Sequence, residues 1–209
     1  MTEEEARAWI AARNVPRETL GRIEHFLAFL TAEAAKQNLV SASTLDSLWS
    51  RHVVDSAQLL DHAGAWSSWL DLGAGAGFPG VIVALLGDGH VTLIESRAKR
   101  IAFLREAAAV AGVGDRVTVI GSRVETAQRA RFDVISARAF APLPKLFELA
   151  YPFADKRTRW VLPKGKSAGE ELEAARPSWQ GSFRLVPSIT DSEAAIIVAE
   201  GVTPGKIRR

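Results

Sequence analysis

The 209-residue chain has no cysteine. That absence excludes disulfides, thiolate metal sites and a cysteine nucleophile. Long apolar runs are missing as well. The longest stretch without a charged residue, Leu72–Gly87, has sixteen residues, five of them glycine, too short and too glycine-rich to span a bilayer. Behind the acidic start Met1-Thr2-Glu3-Glu4-Glu5 no apolar segment follows a basic one, so no secretory leader is read and a cytoplasmic protein without membrane partners is expected. No internal repeat or low-complexity tract is present. Hydrophobic residues make up 47% and charged residues 24%, the balance of an ordinary globular protein with one full core.

The net charge of +2 conceals an asymmetry. Arg97–Lys166 holds 15 basic and 6 acidic residues, whereas the remainder holds 11 and 18. Of the 26 basic residues 19 are arginine, whose planar fork suits phosphate oxygens. Solvated helix faces in an arginine-rich protein would give the same composition.

Residues 1–65 read as an N-terminal helical cap. Thr2 and Glu5 have capping-box form and open a helix over about Glu3–Ala12. Pro16 opens a second, with Leu20, Ile23, Phe26, Leu27 and Leu30 on one face. After the polar loop Asn38–Thr44, a third helical stretch over Leu45–His62 would bury Leu48, Val53, Leu59 and Leu60. From residue 66 to 209 short apolar runs alternate with helices. The strands are expected at Trp69–Leu72, Val91–Glu95, Val117–Ile120, Phe132–Ser136, Arg159–Leu162, Phe183–Val186 and Ala194–Ala199. Helices are expected at Gly80–Leu86, Arg97–Ala111, Arg123–Ala130, Pro142–Ala150 and Ala168–Arg176. This alternation predicts an α/β fold: a seven-stranded, mostly parallel sheet with helices on both faces. The last two strands have little helix between them, which predicts an antiparallel end.

The most specific segment is Asp71-Leu72-Gly73-Ala74-Gly75-Ala76-Gly77-Phe78-Pro79-Gly80, between the first strand and the first sheet helix. Glycine there permits positive φ and close approach of a ligand to the backbone, at the strand end where open α/β sheets bind ligands. Gly75–Gly80 matches the G-x-G-x-x-G of NAD sites, a weak signal alone. Asp71-x-Gly73-x-Gly75-x-Gly77 instead resembles the S-adenosylmethionine loop. A carboxylate suits a cofactor carrying a sulfonium and an ammonium better than a pyrophosphate. Glu95 ends the second strand and can accept hydrogen bonds from ribose hydroxyls of either cofactor. Arg123-Val124-Glu125 follows the third strand and would border an adenine.

Asn38-Leu39-Val40-Ser41, Arg51-His52-x-x-Asp55-Ser56, the glycine segment, Ser122–Glu125, Ser136-Ala137-Arg138-Ala139-Phe140 and Lys164-Gly165 occur in an order and spacing that resemble one family. It is the ribosomal RNA small subunit methyltransferase G family, also called glucose-inhibited division protein B. The resemblance runs from about Pro16 to Ile197. It implies a Rossmann-like class I methyltransferase fold with an antiparallel last strand, and S-adenosylmethionine as cofactor. The implied reaction is methylation of N7 of one guanine in 16S ribosomal RNA. The RNA is expected within the small subunit or an assembly intermediate, naked RNA being the alternative, and the protein is expected to be a monomer. Carried over by position, Gly73, Phe78, Val124, Glu125 and Arg138 would contact the cofactor, beside Asp71, Gly75 and Glu95. Arg138 and Lys164, ending the fourth and fifth strands, would face the target base as catalytic residues.

The residues agree with that chemistry. N7 of guanine carries a free lone pair, so alignment matters more than proton removal. There is no cysteine for a covalent route, and no Asn/Asp-Pro-Pro-aromatic motif for exocyclic amines. Arg138 could hydrogen-bond guanine O6 or a phosphate, or pair internally with Glu125 or Asp71. Arg97, Lys99, Arg100, Arg105, Arg123 and Lys166 are the RNA-contact candidates. His52 and Asp55, three apart on a helix, lack a nucleophile or a third metal ligand, so no metal site is expected. They read as pins between the helical cap and the sheet, or as a border of the cofactor cleft. A nicotinamide-dependent oxidoreductase and a non-catalytic RNA-binding module are the rival readings.

Overall fold

The computed structural model describes residues 1–205. Helix α1 (Glu3–Ala11) has the expected capping box: Thr2 accepts from Glu5 N–H while the Glu5 carboxylate accepts from Thr2 N–H. Helix α2 (Arg17–Ala34) buries Ile23, Phe26, Leu27 and Leu30 of the stripe read from helical spacing, while Leu20, in its first turn, is only partly buried.

The expected third helix is instead four short pieces. They are a 3-10 segment (Ala42–Ser47), a π-helical segment (Trp49–Val54), α3 (Asp55–Ala57) and α4 (Leu60–Ala63). The break between the 3-10 and π-helical pieces has its reason in α1. The Glu3 carboxylate accepts the Trp49 and Ser50 N–H groups at 2.9 and 2.8 Å, which a regular helix would bond to residues four earlier. Leu48, Val53 and Leu59 are buried as expected, whereas Leu60 is only partly buried against the same core.

Seven strands follow: β1 (Ser68–Leu72), β2 (His90–Glu95), β3 (Val117–Gly121), β4 (Val134–Ala137), β5 (Arg159–Lys164), β6 (Trp179–Pro187) and β7 (Ala195–Pro204). Their order is β3-β2-β1-β4-β5-β7-β6. Strands β1 to β5 are parallel, and β7 runs antiparallel to both β5 and β6. Strand β6 is nine residues rather than the expected four. As the sheet edge it buries only Trp179, so apolar patterning could not reveal its length.

Helices α5 (Gly80–Leu86) and α6 (Ala98–Val110) pack on one face, and α7 (Leu143–Ala150) and α8 (Ala168–Ala175) on the other. The helix expected over Arg123–Ala130 is only a 3-10 turn, Val124–Thr126. Only Val124 of that turn is buried, so no apolar stripe extends it. Alternation along β1 sends Trp69 to one core and Leu70 and Leu72 to the other. Phe26, Ile23 and Val53 share the Trp69 core with Val81, Ile82, Phe103 and Leu104. The N-terminal helices thus extend one helical layer of the sheet. Among the described residues no helix is long and apolar enough to cross a membrane.

Candidate active site

The parallel strands bring the glycine turn, Glu95, Gly121-Ser122 and Arg138 to one end of the sheet. Gly73, at φ +67°, sends its N–H to Ile94 O at 2.9 Å, which ties the turn to β2. Behind it Asp71 is fully buried. Its Oδ2 accepts Gly80 N–H at 3.0 Å and its Oδ1 accepts the Ser136 hydroxyl at 2.8 Å. Ser136 in turn accepts Trp69 Nε1–H at 2.8 Å. One carboxylate therefore fastens β1, β4 and the start of α5 together. Burial pushes its pKa up to about 7, against the opposing pull of those two hydrogen bonds and of Arg138.

Two cavities open at this end. The smaller, about 550 Å³, is lined by Gly73, Glu95, Ser122, Val124, Glu125 and Phe140 among others. The larger cleft, about 1190 Å³, is lined by Arg51, His52, Asp55, Arg138, Lys164 and the turn 188–192 between β6 and β7. Ala139 and Phe140 border both.

In the smaller cavity Glu95 Oε1 accepts the Ser96 and Arg97 N–H groups at 2.7 and 2.9 Å, and Oε2 accepts Gly75 N–H at 3.2 Å. The Ser122 hydroxyl is buried with no hydrogen-bond partner among the described residues, which suits a polar ligand atom. A diphosphate fits badly. The Gly75 and Gly80 amides that would hold it are committed to Glu95 and Asp71, Pro79 has no N–H, and the carboxylates would repel it. The donor and acceptor set suits a nucleoside that carries no phosphate.

The cleft wall is built on Arg138. Its Nη1 lies 3.3 Å from Asp55 Oδ2 and donates to Arg51 O at 3.2 Å. Its guanidinium lies 5.4 Å from the centre of the Phe78 ring. Asp55 Oδ1 accepts from the Thr190 hydroxyl at 3.1 Å and Gln58 Nε2 at 3.0 Å. His52 stacks on Phe78 with centroids 4.6 Å apart. Burial, then the Arg138 and Arg51 charges, lowers its pKa to about 3, so the ring is neutral near pH 7.

Of the residues expected at the cofactor, Gly73, Glu95, Val124 and Glu125 line the smaller cavity, while Arg138 lines the cleft. Asp71, Gly75 and Phe78 line neither; Phe78 is buried between His52 and Phe26. The internal partner of Arg138 is Asp55, not Glu125 or Asp71. Lys164 borders the cleft with its ammonium bound to Ala141 O and Glu171. Arg97 and Arg100 line the smaller cavity and, with Lys99, a third of about 490 Å³. Arg123 pairs with Glu125 at 3.2 Å. Arg105 and Lys166 are exposed and line none of these cavities. Glu3, Phe140 and Glu171 were not singled out from sequence. Phe140 alone had a signal, its place beside Arg138.

Strand order, the reversed β7 and the ligand-sized cavity at the glycine turn define a class I methyltransferase fold. Solved structures agree. An O-methyltransferase from Bacillus cereus in complex with SAH has a TM-score of 0.58 at 17% identity, covering 84% of this chain and 90% of that one. A TehB-like SAM-dependent methyltransferase from Corynebacterium glutamicum has a TM-score of 0.54 at 16% identity, covering 70% and 87%. The family model for rRNA small subunit methyltransferase G matches residues 19–195. The chain is 56% identical over 207 residues to ribosomal RNA small subunit methyltransferase G of Rhizorhabdus wittichii, covering 98% of this chain and 95% of the relative. It is 49% identical over 216 aligned residues to the protein of that name from Zymomonas mobilis, covering 99% and 97%. The chain belongs to the rRNA small subunit methyltransferase G family.

Proposed function

We propose that this chain transfers a methyl group from S-adenosylmethionine to N7 of a guanine in 16S, small-subunit ribosomal RNA. Family membership supports the reaction. The observation that carries it is the pairing of two cavities across Phe140: one built for a nucleoside without phosphates, the other walled by Arg138.

Glu95 would hold ribose hydroxyls, Ser122, Val124 and Glu125 would border the adenine, and Gly73 leaves room for the ligand. Bound there, S-adenosylmethionine supplies a methyl group as an electrophile on sulfur. Guanine N7 attacks with its own lone pair and loses no proton, so no general base is required. The chain's part is to align N7 with the methyl carbon and exclude water. Arg138 can donate to guanine O6 or a neighbouring phosphate. Asp55 balances its charge and His52 stays neutral. The wall therefore adds little net charge to a transfer that begins and ends with one positive charge. Arg97, Lys99 and Arg100, with Arg105, Arg123 and Lys166, would take RNA phosphates. The same reading takes the protein as a cytoplasmic monomer acting on the subunit or an assembly intermediate.

The test is incubation with small subunits lacking the modification and labelled S-adenosylmethionine, followed by mapping of the label. One guanine labelled at N7 is expected. Label on another atom or base, or RNA binding without transfer, would refute it. Calorimetry should give heat with S-adenosylmethionine and none with NAD; the opposite result restores the oxidoreductase reading.

A further inference from the structure

Lys164 ends β5 at the border of the cleft, yet its ammonium does not project into open space. It donates to Ala141 O at 2.8 Å and to Glu171 Oε2 at 2.8 Å, and its side chain is 9% exposed. Glu171, on α8, also accepts Leu143 N–H at 2.8 Å and, through its other oxygen, the Ser167 hydroxyl at 3.1 Å. Burial alone would raise the Glu171 pKa, but the hydrogen bond and charge of Lys164 hold it below the usual carboxylate range. The pair therefore grips the chain on both sides of Pro142.

Just upstream stands a turn that needs such a grip. Ala139 has φ +51°, a left-handed conformation that a residue with a side chain keeps only when its surroundings over-determine it. Phe140 follows, its ring against Gly73: a Cβ there would lie 2.6 Å from Phe140 Cδ2. This turn is the wall between the two cavities, and Arg138 leads into it.

We propose that Lys164 is a positioning residue: with Glu171 it clamps the Ala139–Leu143 turn, so that Phe140 closes the cofactor cavity against Gly73 and Arg138 faces the cleft. It acts through the turn and does not itself touch RNA. Two of its three N–H donors are already committed, and a phosphate contact would need an exposed ammonium. The proposal rests on the methyltransferase reading above.

The test uses the whole 209-residue chain as Lys164→Met, Glu171→Gln and the double variant. S-adenosylmethionine Kd is measured by calorimetry, and kcat and RNA KM on unmodified small subunits. Each single variant should raise the cofactor Kd about tenfold and lower kcat, with RNA KM changing less than about twofold. The double variant should be no worse than either single one, because one clamp is broken once. Lys164→Arg, which keeps charge and donors, should recover part of the affinity. Should Lys164→Met fail to fold, the isosteric Glu171→Gln carries the measurement. Unchanged cofactor Kd with raised RNA KM would overturn the clamp and make Lys164 an RNA contact; additive losses would overturn it too. Wild-type protein that bound no S-adenosylmethionine would overturn the parent reading and this one with it, whereas wild-type binding left intact in the variants overturns the clamp alone.

Discussion

Arg138 and Asp55 meet at 3.3 Å, joining the residue after β4 to the first residue of α3. Their side chains are 23% and 18% exposed, so the pair is only partly desolvated. Breaking it should cost about 1–2 kcal/mol, below the value for a fully buried pair. Asp55→Asn keeps a carbonyl for Thr190 or Gln58 but leaves Arg138 uncompensated in the cleft, beside the guanine onto which the positive charge moves during transfer. Single-turnover methylation should fall about tenfold with little loss of cofactor affinity. A full rate in that variant would remove charge balance from the mechanism.

Gly73→Val should lose cofactor binding while the sheet still forms. The residue sits at φ +67°, and an added Cβ would collide with the Phe140 ring. Relief would push Phe140 into the cavity it borders. Calorimetry should give at least about a hundredfold weaker binding, with the far-ultraviolet circular dichroism of the wild type. Near-normal affinity would mean that the cofactor does not use this cavity.

The alternation of strands and helices, the capping box at Thr2 and the glycine turn were legible because each is local in sequence. Glu95 was legible too, since strand ends recur at predictable places in an alternating fold. The ties that shape the cleft were not. Glu3 reaches Trp49 and Ser50 across 46 and 47 residues, and Arg138 reaches Asp55 across 83. No periodicity announces such contacts. In sequence a carboxylate beside a glycine turn looks the same whether it faces out or in, so Asp71 is expected at the ligand, whereas the structure turns it inward. Its place under α5 follows from Gly80, whose N–H needs an acceptor. Lys164 posed the same ambiguity, and only the position of Glu171 resolves where its ammonium points.

RNA affinity should fall steeply with salt, because phosphate contacts release counterions. Arg97 and Lys99 are exposed at the start of α6, where no acidic residue balances them in the first turn. Arg97→Ala and Lys99→Ala should each reduce the slope of log affinity against log salt by about 1. Lys145→Ala is the control, since Lys145 is held by Glu148 at 2.9 Å on α7, in the opposite helical layer. Equal slopes for all three variants would place the RNA footprint elsewhere.

Asp71 should make the fold less stable as pH rises. Its pKa is pushed from 3.8 in the ordinary case to about 7 in the folded chain, chiefly by burial. Between about pH 4 and 7 the folded state therefore holds more protons than the unfolded state, and stability declines across that window. Below pH 4 this contribution is present in full; above 7 it is gone. Asp133 and Glu171, whose pKa values are lowered, shift stability in the other direction, so total stability does not isolate Asp71. Comparison with Asp71→Asn does. The Asn carbonyl can still accept Gly80 N–H, and its amide can donate to Ser136, whose oxygen has a second lone pair after accepting from Trp69. Melting temperatures of the two proteins from pH 4 to 8 should converge or cross as pH rises, with the Asn variant gaining on the wild type. Parallel curves would mean that Asp71 does not titrate in this range.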